Sequence, residues 1–445
     1  MRPSDSRKNI LLVSFDDAVS FWPYKTAFGE PLRTPNLDRL CAKSSLFRSA
    51  NCQSTFCLPS RASFMSARTP HQLGVLEHTD NVFAKHRPNI MWSYTLKKSG
   101  YYCSSGGKVH HSFRGLPYKL NRKLYSDETK GLFGKFRRLP PEIETTHFGG
   151  HRDGIGLTNP DDDEILYDTR CADSAIEFLQ SYDKEMPFYR EVGFSTPHGP
   201  HITPARFKEM YDAANITLPS EWANGFDVNA YSEQAYERAV WFDEETVDWW
   251  QKSVRNYFSS YTFGDYQLGR VLDALEASPH ANNTIIVFLT DHGFHLGNKG
   301  RFMKSTLWEQ VVNVPLIIHD PDRPVGQNID DPVGLIDVGP TVLDFAGLPP
   351  LSDTIGRSLR PLMAGGRDPD RAILTVYRKN ASVRKGGFRL IRYEDGSTQL
   401  YDLNADFWQL RDLGADHPAF GDMYAALVDC GKASGLDISE AAQRP

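Results

Sequence analysis

Two pairs of adjacent residues, far apart in the chain, have side chains that commonly bind metal ions: three are carboxylates and one is an imidazole. Asp16 and Asp17 form the first pair, and Asp291 and His292 form the second. A hard cation such as Ca²⁺ prefers several carboxylate oxygens, more than one pair supplies, whereas two pairs together can supply them. A lone Asp-Asp pair is equally typical of a solvated turn or a helix cap. The elements that precede the two pairs therefore decide between these interpretations.

Each pair directly follows a short apolar segment with the length and composition of a buried strand. The segments are residues 9–15 and 284–290, and residues 314–318 form a third segment of the same kind. Continuous apolar runs of this length indicate strands that are covered on both faces of a parallel sheet. Open α/β sheets bind their ligands at the carboxyl ends of the strands. We therefore expect the two pairs to meet at one edge of the sheet as metal ligands.

Segments with helical periodicity lie between the apolar runs. Apolar side chains recur at helical spacing in residues 166–182 and 256–275. Alternating strands and helices predict an α/β fold, with a large, mainly parallel sheet sandwiched by helices. After about residue 365, short alternating runs separated by glycine turns indicate antiparallel hairpins. We expect a catalytic α/β domain over residues 1–365 and a smaller C-terminal α+β domain with an antiparallel sheet over residues 366–445.

The most specific motif in the chain is Cys-Leu-Pro-Ser-Arg, which begins at Cys57 and ends at Arg61. Together with residues 62–68 it resembles the signature of the sulfatase family, in the alkaline phosphatase superfamily. Further stretches similar to sulfatase motifs follow in the family's order, at residues 105–111, 196–200, 291–297, 302–304 and 400–403. Among sulfatases, the pattern is most similar to the branch that contains iduronate-2-sulfatases and choline sulfatases.

The resemblance implies that Cys57 does not remain a thiol. In sulfatases a formylglycine-generating enzyme oxidises this cysteine to formylglycine, whose aldehyde hydrate is the nucleophile that accepts the sulfuryl group. The family's calcium ligands correspond here to Asp16, Asp17, Asp291 and His292, together with the group derived from Cys57. Many sulfatases have asparagine where this chain has His292, although the iduronate branch also has histidine. Because calcium prefers oxygen ligands, we expect Ca²⁺ and keep another divalent cation as an alternative.

The same resemblance assigns roles to four more positions. Lys108 and Lys304 would neutralise the sulfate oxygens as localised positive charges. Arg61 would hold the formylglycine region and help to position the metal ligands. His198 would protonate the leaving alkoxide, a step that typically contributes roughly 10²–10⁴-fold to the rate.

The base that acts when sulfate is expelled from the hydrate should be a histidine close to Lys108. Arylsulfatases have the spacing Lys-x-His, which corresponds to His110 in this chain. The iduronate branch has Lys-x-x-His, which corresponds to His111. We favour His111 slightly and retain both as candidates.

The predicted activity is hydrolysis of an organic sulfate monoester, with either a small molecule or a saccharide as the alcohol. A related alternative is a phosphonate monoester hydrolase or phosphodiesterase of the same superfamily, which shares the metal site and formylglycine. Lys108 with the two histidines that follow Val109 favours sulfate, because those enzymes tend to lack this lysine and histidine pair. A third alternative is a non-catalytic sulfate-ester binder in which Cys57 stays a thiol. A positioned acid such as His198 has little use in a binder.

Composition excludes several other classes of protein. The formal net charge of −6 gives no basic bias, so nucleic acid is not an expected partner. No apolar run approaches the ~20 residues that a membrane helix needs, so no membrane association is expected. The first residues lack an apolar signal region, which favours a cytoplasmic location. The motifs of serine hydrolases, zincins and P-loop proteins are absent. The sequence does not predict the oligomeric state.

Overall fold

A seven-stranded sheet forms the centre of the computed structural model, which describes residues 7–111, 116–127, 139–235 and 243–438. Its described strands, with those of three smaller sheets, are β1 (Asn9–Asp16), β2 (Ser45–Phe47), β3 (Ala50–Asn51), β4 (Tyr102–Gly107), β5 (Thr145–His147), β6 (Ile155–Leu157), β7 (Phe188–Pro197), β8 (Thr203–Pro204), β9 (Thr284–Thr290), β10 (Leu316–His319), β11 (Gln327–Ile329), β12 (Val333–Gly334), β13 (Ala372–Tyr377), β14 (Asn380–Lys385), β15 (Phe388–Arg392) and β16 (Thr398–Asp402).

Helices cover both faces of this sheet, and the longest of them is α10. The described α-helices are α1 (Pro35–Cys41), α2 (Cys57–Ser66), α3 (Pro70–Leu73), α4 (Val82–Lys85), α5 (Trp92–Lys98), α6 (Tyr118–Leu124), α7 (Tyr167–Ser181), α8 (Ala205–Glu209), α9 (Ala230–Ala235), α10 (Glu244–Glu276), α11 (Glu309–Val312), α12 (Val338–Phe345), α13 (Arg360–Met363) and α14 (Phe420–Ala433).

The central sheet has the strand order β11-β2-β10-β9-β1-β7-β4. β1 runs parallel to both of its neighbours, β7 and β9, and β4 runs parallel to β7. Alternate residues of β1 enter different hydrophobic cores, because side chains alternate across a strand. Ile10 and Leu12 pack into one core, and Leu11 and Val13 pack into the other. The prediction of a large, mainly parallel sheet between layers of helices is confirmed.

β10 departs from the parallel pattern, because it runs antiparallel to both β9 and β2. The chain leaves β9 at its carboxyl end and returns along β10 from the same edge, with the short helix α11 in the connection. A parallel return would need a crossover to the other edge of the sheet. The apolar run at residues 314–318 predicted a buried strand but carried no signal for its direction.

Helix α10 is longer than its periodicity predicted, since it begins at Glu244 instead of residue 256. Its first turn is capped by Asp243, whose side chain accepts a hydrogen bond from the backbone N–H of Thr246. Such a cap satisfies one of the free N–H groups at a helix start. The helix packs along α7 and the face of β7.

Strands β13 to β16 form an antiparallel sheet that packs against α14. Leu374, Val383, Leu390 and Leu427 belong to a hydrophobic core of their own. This arrangement confirms the predicted C-terminal antiparallel sheet, although β14 was not predicted as a separate strand. The boundary at residue 365 stays a prediction. The backbone N–H of Val376 donates to the carbonyl of Gln53 at 3.0 Å, which links this sheet to the segment before α2.

Among the described residues, no helix combines the length and the apolar character that a membrane crossing requires.

Candidate active site

The carboxyl ends of β1 and β9 bring the two predicted metal-binding pairs together. The strands pair in register up to Phe15 and Thr290, so the residues that follow them emerge side by side. The backbone N–H of Asp17 donates to a carboxylate oxygen of Asp291 at 3.2 Å. Asp17 has a φ of 63°, which turns the chain away from the strand direction. All four pair members are buried.

Cys57 lies against these strand ends, as the first residue of α2, and only 1% of it is exposed. Its Sγ is 3.3 Å from Nε2 of His292 and 3.1 Å from Nζ of Lys304. The amino end of a helix carries a partial positive charge, which favours a developing anion at this position. The Ser60 hydroxyl donates to the carbonyl of Asp291 at 2.6 Å and thereby ties α2 to the end of β9.

Asp16, Asp17, Cys57 and His292 each offer a donor atom, and the four atoms lie within 4.8 Å of one another. Oδ1 of Asp16 is buried and has no hydrogen-bond partner among the residues that the structure describes. A buried carboxylate oxygen without a partner is unfavourable, and a cation bound between these donors would satisfy it. The donor set therefore fits a divalent cation.

The fifth predicted metal ligand, Asp291, lies beside this group and makes other contacts. Its Oδ2 accepts from Nε of Arg61 at 2.8 Å and is 3.9 Å from Nε2 of His292. Its Oδ1 accepts from the backbone N–H groups of Asp17 and His292. Asp291 thus holds the backbone of Asp17 and His292 in this arrangement, and direct coordination of a metal by Asp291 stays a prediction.

Three basic side chains compensate the acidic groups: Lys108 and Arg61 are buried, and Lys304 is half-buried. Lys108 forms an ion pair with Asp16, and Lys304 donates to Asp17 at 2.7 Å. Arg61 is 1% exposed and holds Asp291, and it also donates to the carbonyl of Lys108 at 2.5 Å. Arg61 therefore lies behind the strand ends, and its expected role in positioning the metal ligands stays a prediction.

These charges set the protonation of the carboxylates. Burial alone would raise the pKa of Asp16, but the charges of Lys108, His198 and Arg61 hold that pKa well below its usual range. The pKa of Asp17 is lowered in the same way, against burial, chiefly by His198 and Lys304. Both side chains are therefore ionised at neutral pH, which is the form that binds a cation.

Lys108 reaches the site because β4 ends in an unusual backbone conformation. Gly107 has a φ of 88°, and a Cβ there would lie 2.1 Å from the carbonyl oxygen of Gly193 on β7. Only glycine fits at such a close approach. The backbone N–H of Lys108 then donates to that carbonyl at 2.8 Å.

His198 follows the end of β7 and faces Asp17. Its Nε2 is 3.8 Å from Oδ2 of Asp17, whereas its Nδ1 is 2.6 Å from the carbonyl oxygen of Gly199. Because a carbonyl only accepts, Nδ1 carries the hydrogen and Nε2 points into the site. Burial lowers the pKa of His198 to about 4, although Asp17 and Asp16 act in the opposite direction.

The two candidate histidines after Lys108 point to different places. A ring nitrogen of His111 lies within 4.8 Å of Sγ of Cys57. His110 instead contacts the Tyr125 hydroxyl through Nε2 at 2.8 Å, and that hydroxyl donates to the buried Glu191 at 2.7 Å. His111 therefore lies beside Cys57, whereas His110 belongs to a hydrogen-bond chain with Tyr125 and Glu191.

His78 is a member of the site that the sequence did not reveal. Its ring stacks on His111 with the centroids 5.0 Å apart, and it also contacts Phe56 at 4.3 Å. One of its nitrogens belongs to a second group of close donors, with Cys57 and His111. His78 lies outside every motif, and its site contacts are long-range, so no local pattern marks it.

A cavity of about 420 Å³ opens beside these histidines. It is lined by apolar side chains from the start of α2 and from α4, and by both His78 and His111. Leu58 and Phe83 contribute apolar surface, and Arg61 also lines the cavity. This volume is sufficient for part of an organic ligand next to Cys57.

Most of the chain matches the model of a known protein family. The sulfatase family model matches residues 8–348. The chain belongs to the sulfatase family. A second model, for the C-terminal region of N-sulphoglucosamine sulphohydrolase, matches residues 297–428. This membership confirms the prediction of a sulfuric ester hydrolase.

Curated relatives are similar over most of this sulfatase. A sulfatase from Formosa agariphila is 31% identical over 425 residues, which cover 90% of this chain and 82% of the relative. The choline-sulfatase of Rhizobium meliloti is 27% identical over 459 residues, or 95% and 87% of the two chains. The iduronate 2-sulfatase of Homo sapiens is 30% identical over 338 residues, or 71% and 60%. Both kinds of sulfatase in the branch suggested by the motifs are thus among its relatives.

Solved structures share the fold at lower identity. The structure of BT4656 in complex with its substrate D-glucosamine-2-N,6-O-disulfate has a TM-score of 0.76 at 19% identity, and covers 99% of this sulfatase and 100% of that chain. The phosphonate monoester hydrolase of Agrobacterium radiobacter has a TM-score of 0.71 at 20% identity, with coverage of 98% and 97%. These similarities confirm the alkaline phosphatase-like fold. The individual site roles and the cytoplasmic location stay predictions.

Proposed function

We propose that this sulfatase hydrolyses a sulfate monoester through formylglycine derived from Cys57, with Ca²⁺ as the first choice of cation. The observation that carries this proposal is the position of Cys57. Its Sγ lies 3.3 Å from His292 and 3.1 Å from Lys304, at the start of α2 and inside a group of cation donors. A structural cysteine has no need of such surroundings, since reactive cysteines occupy electropositive sites.

The cation would be held by side chains that already converge at the strand ends. We assign them as Asp16, Asp17, Asp291, His292 and the group derived from Cys57. A bound divalent cation would supply positive charge that polarises a sulfate oxygen and the nucleophile. The unpartnered Oδ1 of Asp16 supports this assignment, and His292 keeps a divalent cation other than Ca²⁺ as an alternative.

The aldehyde made from Cys57 would supply, as its hydrate, the hydroxyl that takes the sulfuryl group. Cys57 is almost fully buried in the folded chain, so the formylglycine-generating enzyme would need access before α2 is packed. Lys108 and Lys304 are placed to bind the sulfate oxygens, because both ammonium groups adjoin the cation donors. Arg61 keeps the backbone of Lys108 and the carboxylate of Asp291 in position.

His198 is our candidate for the acid that acts on the leaving alcohol. When the bond between sulfur and the alcohol oxygen breaks, that oxygen takes a proton from Nε2 of His198. The contact between Nδ1 and the Gly199 carbonyl fixes the ring so that Nε2 faces the site. The low pKa of His198 rises when an anionic sulfate binds beside it, because a negative charge favours the imidazolium form.

His111 is our candidate for the base that acts when sulfate leaves. Burial, together with Lys108 and His78, lowers the pKa of His111 to about 3, so the ring is neutral and can accept a proton. Its Nδ1 is buried, and no hydrogen-bond partner for it lies in the described part of the chain. His110 remains the alternative, but its Nε2 is engaged with Tyr125.

Phosphonate monoester hydrolysis is the second candidate function, favoured by the fold of the Agrobacterium radiobacter enzyme. The position of Lys108 and His111 at the site supports sulfate over phosphonate. Binding without catalysis is disfavoured, because Nε2 of His198 faces the acidic end of the site. Both a saccharide and a small-molecule sulfate ester remain as substrate classes, and BT4656 acts on a sulfated saccharide.

Initial rates on three aryl esters test the proposed function. The substrates are a sulfate monoester, a phosphate diester and a phosphonate monoester with the same aryl leaving group. We expect the sulfate ester to give the highest kcat/KM in protein whose Cys57 is converted. If the diester or the phosphonate is hydrolysed faster by orders of magnitude, the protein is a phosphodiesterase or a phosphonate monoester hydrolase instead. If none of the three esters is hydrolysed, a non-catalytic sulfate-ester binder is favoured.

A further inference from the structure

A hairpin outside all sulfatase motifs places an arginine next to the leaving-group side of the site. Strands β5 and β6 pair antiparallel, and β6 continues into a parallel pair with β8, which lies shortly after His198. Residues 148–154 form the tip of this hairpin. A Cβ built on Gly199 would lie 3.9 Å from both Cδ and Nη1 of Arg152. Arg152 thus adjoins the residue directly after the proposed acid.

The backbone of the hairpin tip is strained in a way that a mere surface connection does not require. Arg152 has a φ of 51° and Asp153 has a φ of 61°, and both are non-glycine residues in the left-handed region. This conformation is unfavourable for side chains with a Cβ, and it persists only where the surroundings enforce it.

Contacts with α10 enforce this left-handed backbone conformation. The backbone N–H of His151 donates to the Ser253 hydroxyl at 2.8 Å, and the Asn256 side chain donates to the Gly149 carbonyl at 2.7 Å. A Cβ on Gly150 would lie 2.7 Å from the backbone nitrogen of Ser253, so the tip sits directly on the helix. The strained segment is therefore held against a long, buried helix, which fixes the backbone position of Arg152.

Arg152 differs from the other cations around the site in having no anionic partner. Lys108, Lys304 and Arg61 each contact a carboxylate. Arg152 is exposed, and within the described parts of the chain no carboxylate lies in ion-pair range of its guanidinium. A guanidinium presents a planar fork of donors that matches carboxylate and sulfate oxygens.

We propose that Arg152 binds a second anionic group, a carboxylate or a sulfate, on the alcohol that leaves beside His198. This inference rests on the proposed function, because it places the alcohol at the His198 side. It predicts that the preferred substrates are sulfate esters of acidic or multiply sulfated alcohols. Arg152 is then a specificity-determining residue, and the sulfuryl transfer itself does not depend on it.

Three matched substrates test this subsite in the full-length, converted protein. They are a neutral hexose monosulfate, the corresponding hexuronic acid monosulfate and the corresponding hexose disulfate. The measured quantity is the ratio of kcat/KM for each anionic substrate to kcat/KM for the neutral one. We expect Arg152→Gln to lower at least one ratio by about tenfold or more, since charge-assisted hydrogen bonds are lost. The substrate whose ratio falls identifies the anion as carboxylate or sulfate.

Two further variants separate binding from structure. Arg152→Lys keeps the charge without the fork and should retain part of the lost ratio. Arg206→Gln removes an exposed arginine that pairs with Asp163, and it should leave both ratios unchanged. Unchanged ratios in Arg152→Gln for both anionic substrates would overturn the subsite while the proposed function stands. If the unsubstituted protein hydrolyses no sulfate ester, the proposed function fails and the inference fails with it.

Discussion

The two ends of the site are built in different ways. At the sulfate end, buried carboxylates lie at the ends of β1 and β9. A basic side chain contacts each of Asp16, Asp17 and Asp291. At the alcohol end, Arg152 is exposed on the tip of a small hairpin, and no carboxylate within the described residues pairs with it. The first end rests on the central sheet, whereas the second rests on connecting segments. In the proposed function, the strand ends therefore carry the reaction, and the choice of substrate falls to surface segments, which can vary without changing the sheet.

The largest effect is expected when the proposed nucleophile at the sulfate end is removed. Cys57→Ala should lower turnover of an aryl sulfate by at least about 10⁴-fold, because the proposed nucleophile is then absent. Calorimetric titration with Ca²⁺ should still detect binding, since the carboxylates stay in place. Cys430→Ala, on α14 in the C-terminal core, is the matched control and should retain full turnover. Comparable turnover in both variants would contradict the role of Cys57.

The second-largest effect on turnover is expected at His198, where the sulfate end and the alcohol end meet. His198→Gln should lower kcat for an alkyl sulfate by roughly 10²–10⁴-fold, because the poor leaving group then departs without a proton. An aryl sulfate with an acidic phenol should lose far less, since its phenolate needs little protonation. Steady-state kinetics with both esters measure the difference. Equal losses on the two esters would mean that His198 binds or positions the substrate and does not act as the acid.

A smaller effect distinguishes the adjacent histidines at the sulfate end. His111→Asn should lower kcat by about 10²-fold or more, because His111 lies near Cys57 and can accept a proton. His110→Asn should lower it by less than about tenfold, because His110 only supports its neighbours through Tyr125. Rates and thermal unfolding should be measured together, so that a loss of folded protein is not counted as a loss of catalysis. The opposite order of effects would transfer the role to His110.

The strand-end motifs made most of the sulfate end predictable. The apolar runs before Asp16 and Asp291 predicted both buried strands, and parallel pairing in register brings their ends together. Cys57 and Arg61 belong to one local motif, so their proximity needed no knowledge of the fold. The resemblance supplied Lys108, His198 and Lys304, all of which the structure places around Asp16 and Asp17.

The alcohol end and the supporting residues could not be predicted in this way. His78 and Arg152 contact the site only through long-range packing, and neither lies in a periodic or recognisable pattern. The strained tip at Arg152 depends on α10, which lies about a hundred residues later in the chain. The direction of β10 was also unpredictable, because an apolar run has the same pattern in parallel and antiparallel pairing.

The smallest expected effect concerns stability and not turnover. Burial raises the pKa of Glu191, behind His110, to about 7, although hydrogen bonds from Ser105, Tyr125 and Tyr189 oppose this. A folded-state pKa above the unfolded value of about 4.5 means that the protonated form favours folding. The stabilisation is therefore complete below pH 4.5 and is lost as the pH rises through about 7.

Urea unfolding of the unsubstituted protein and of Glu191→Gln at several pH values measures this effect. We expect the unsubstituted protein to lose on the order of 3 kcal/mol relative to the variant across this range. Arg152→Gln is the contrast from the alcohol end, and its free energy of unfolding should differ by a constant amount at each pH. A Glu191→Gln difference that does not change with pH would contradict the buried, protonated carboxyl.

The central claim is that Cys57 becomes an aldehyde and that this group performs the reaction. Mass spectrometry of the peptide that contains Cys57, from preparations with different specific activities, tests this claim most directly. We predict formylglycine at Cys57 and a specific activity toward sulfate esters that rises in proportion to the converted fraction. An unmodified Cys57 thiol throughout a fully active preparation would contradict the account.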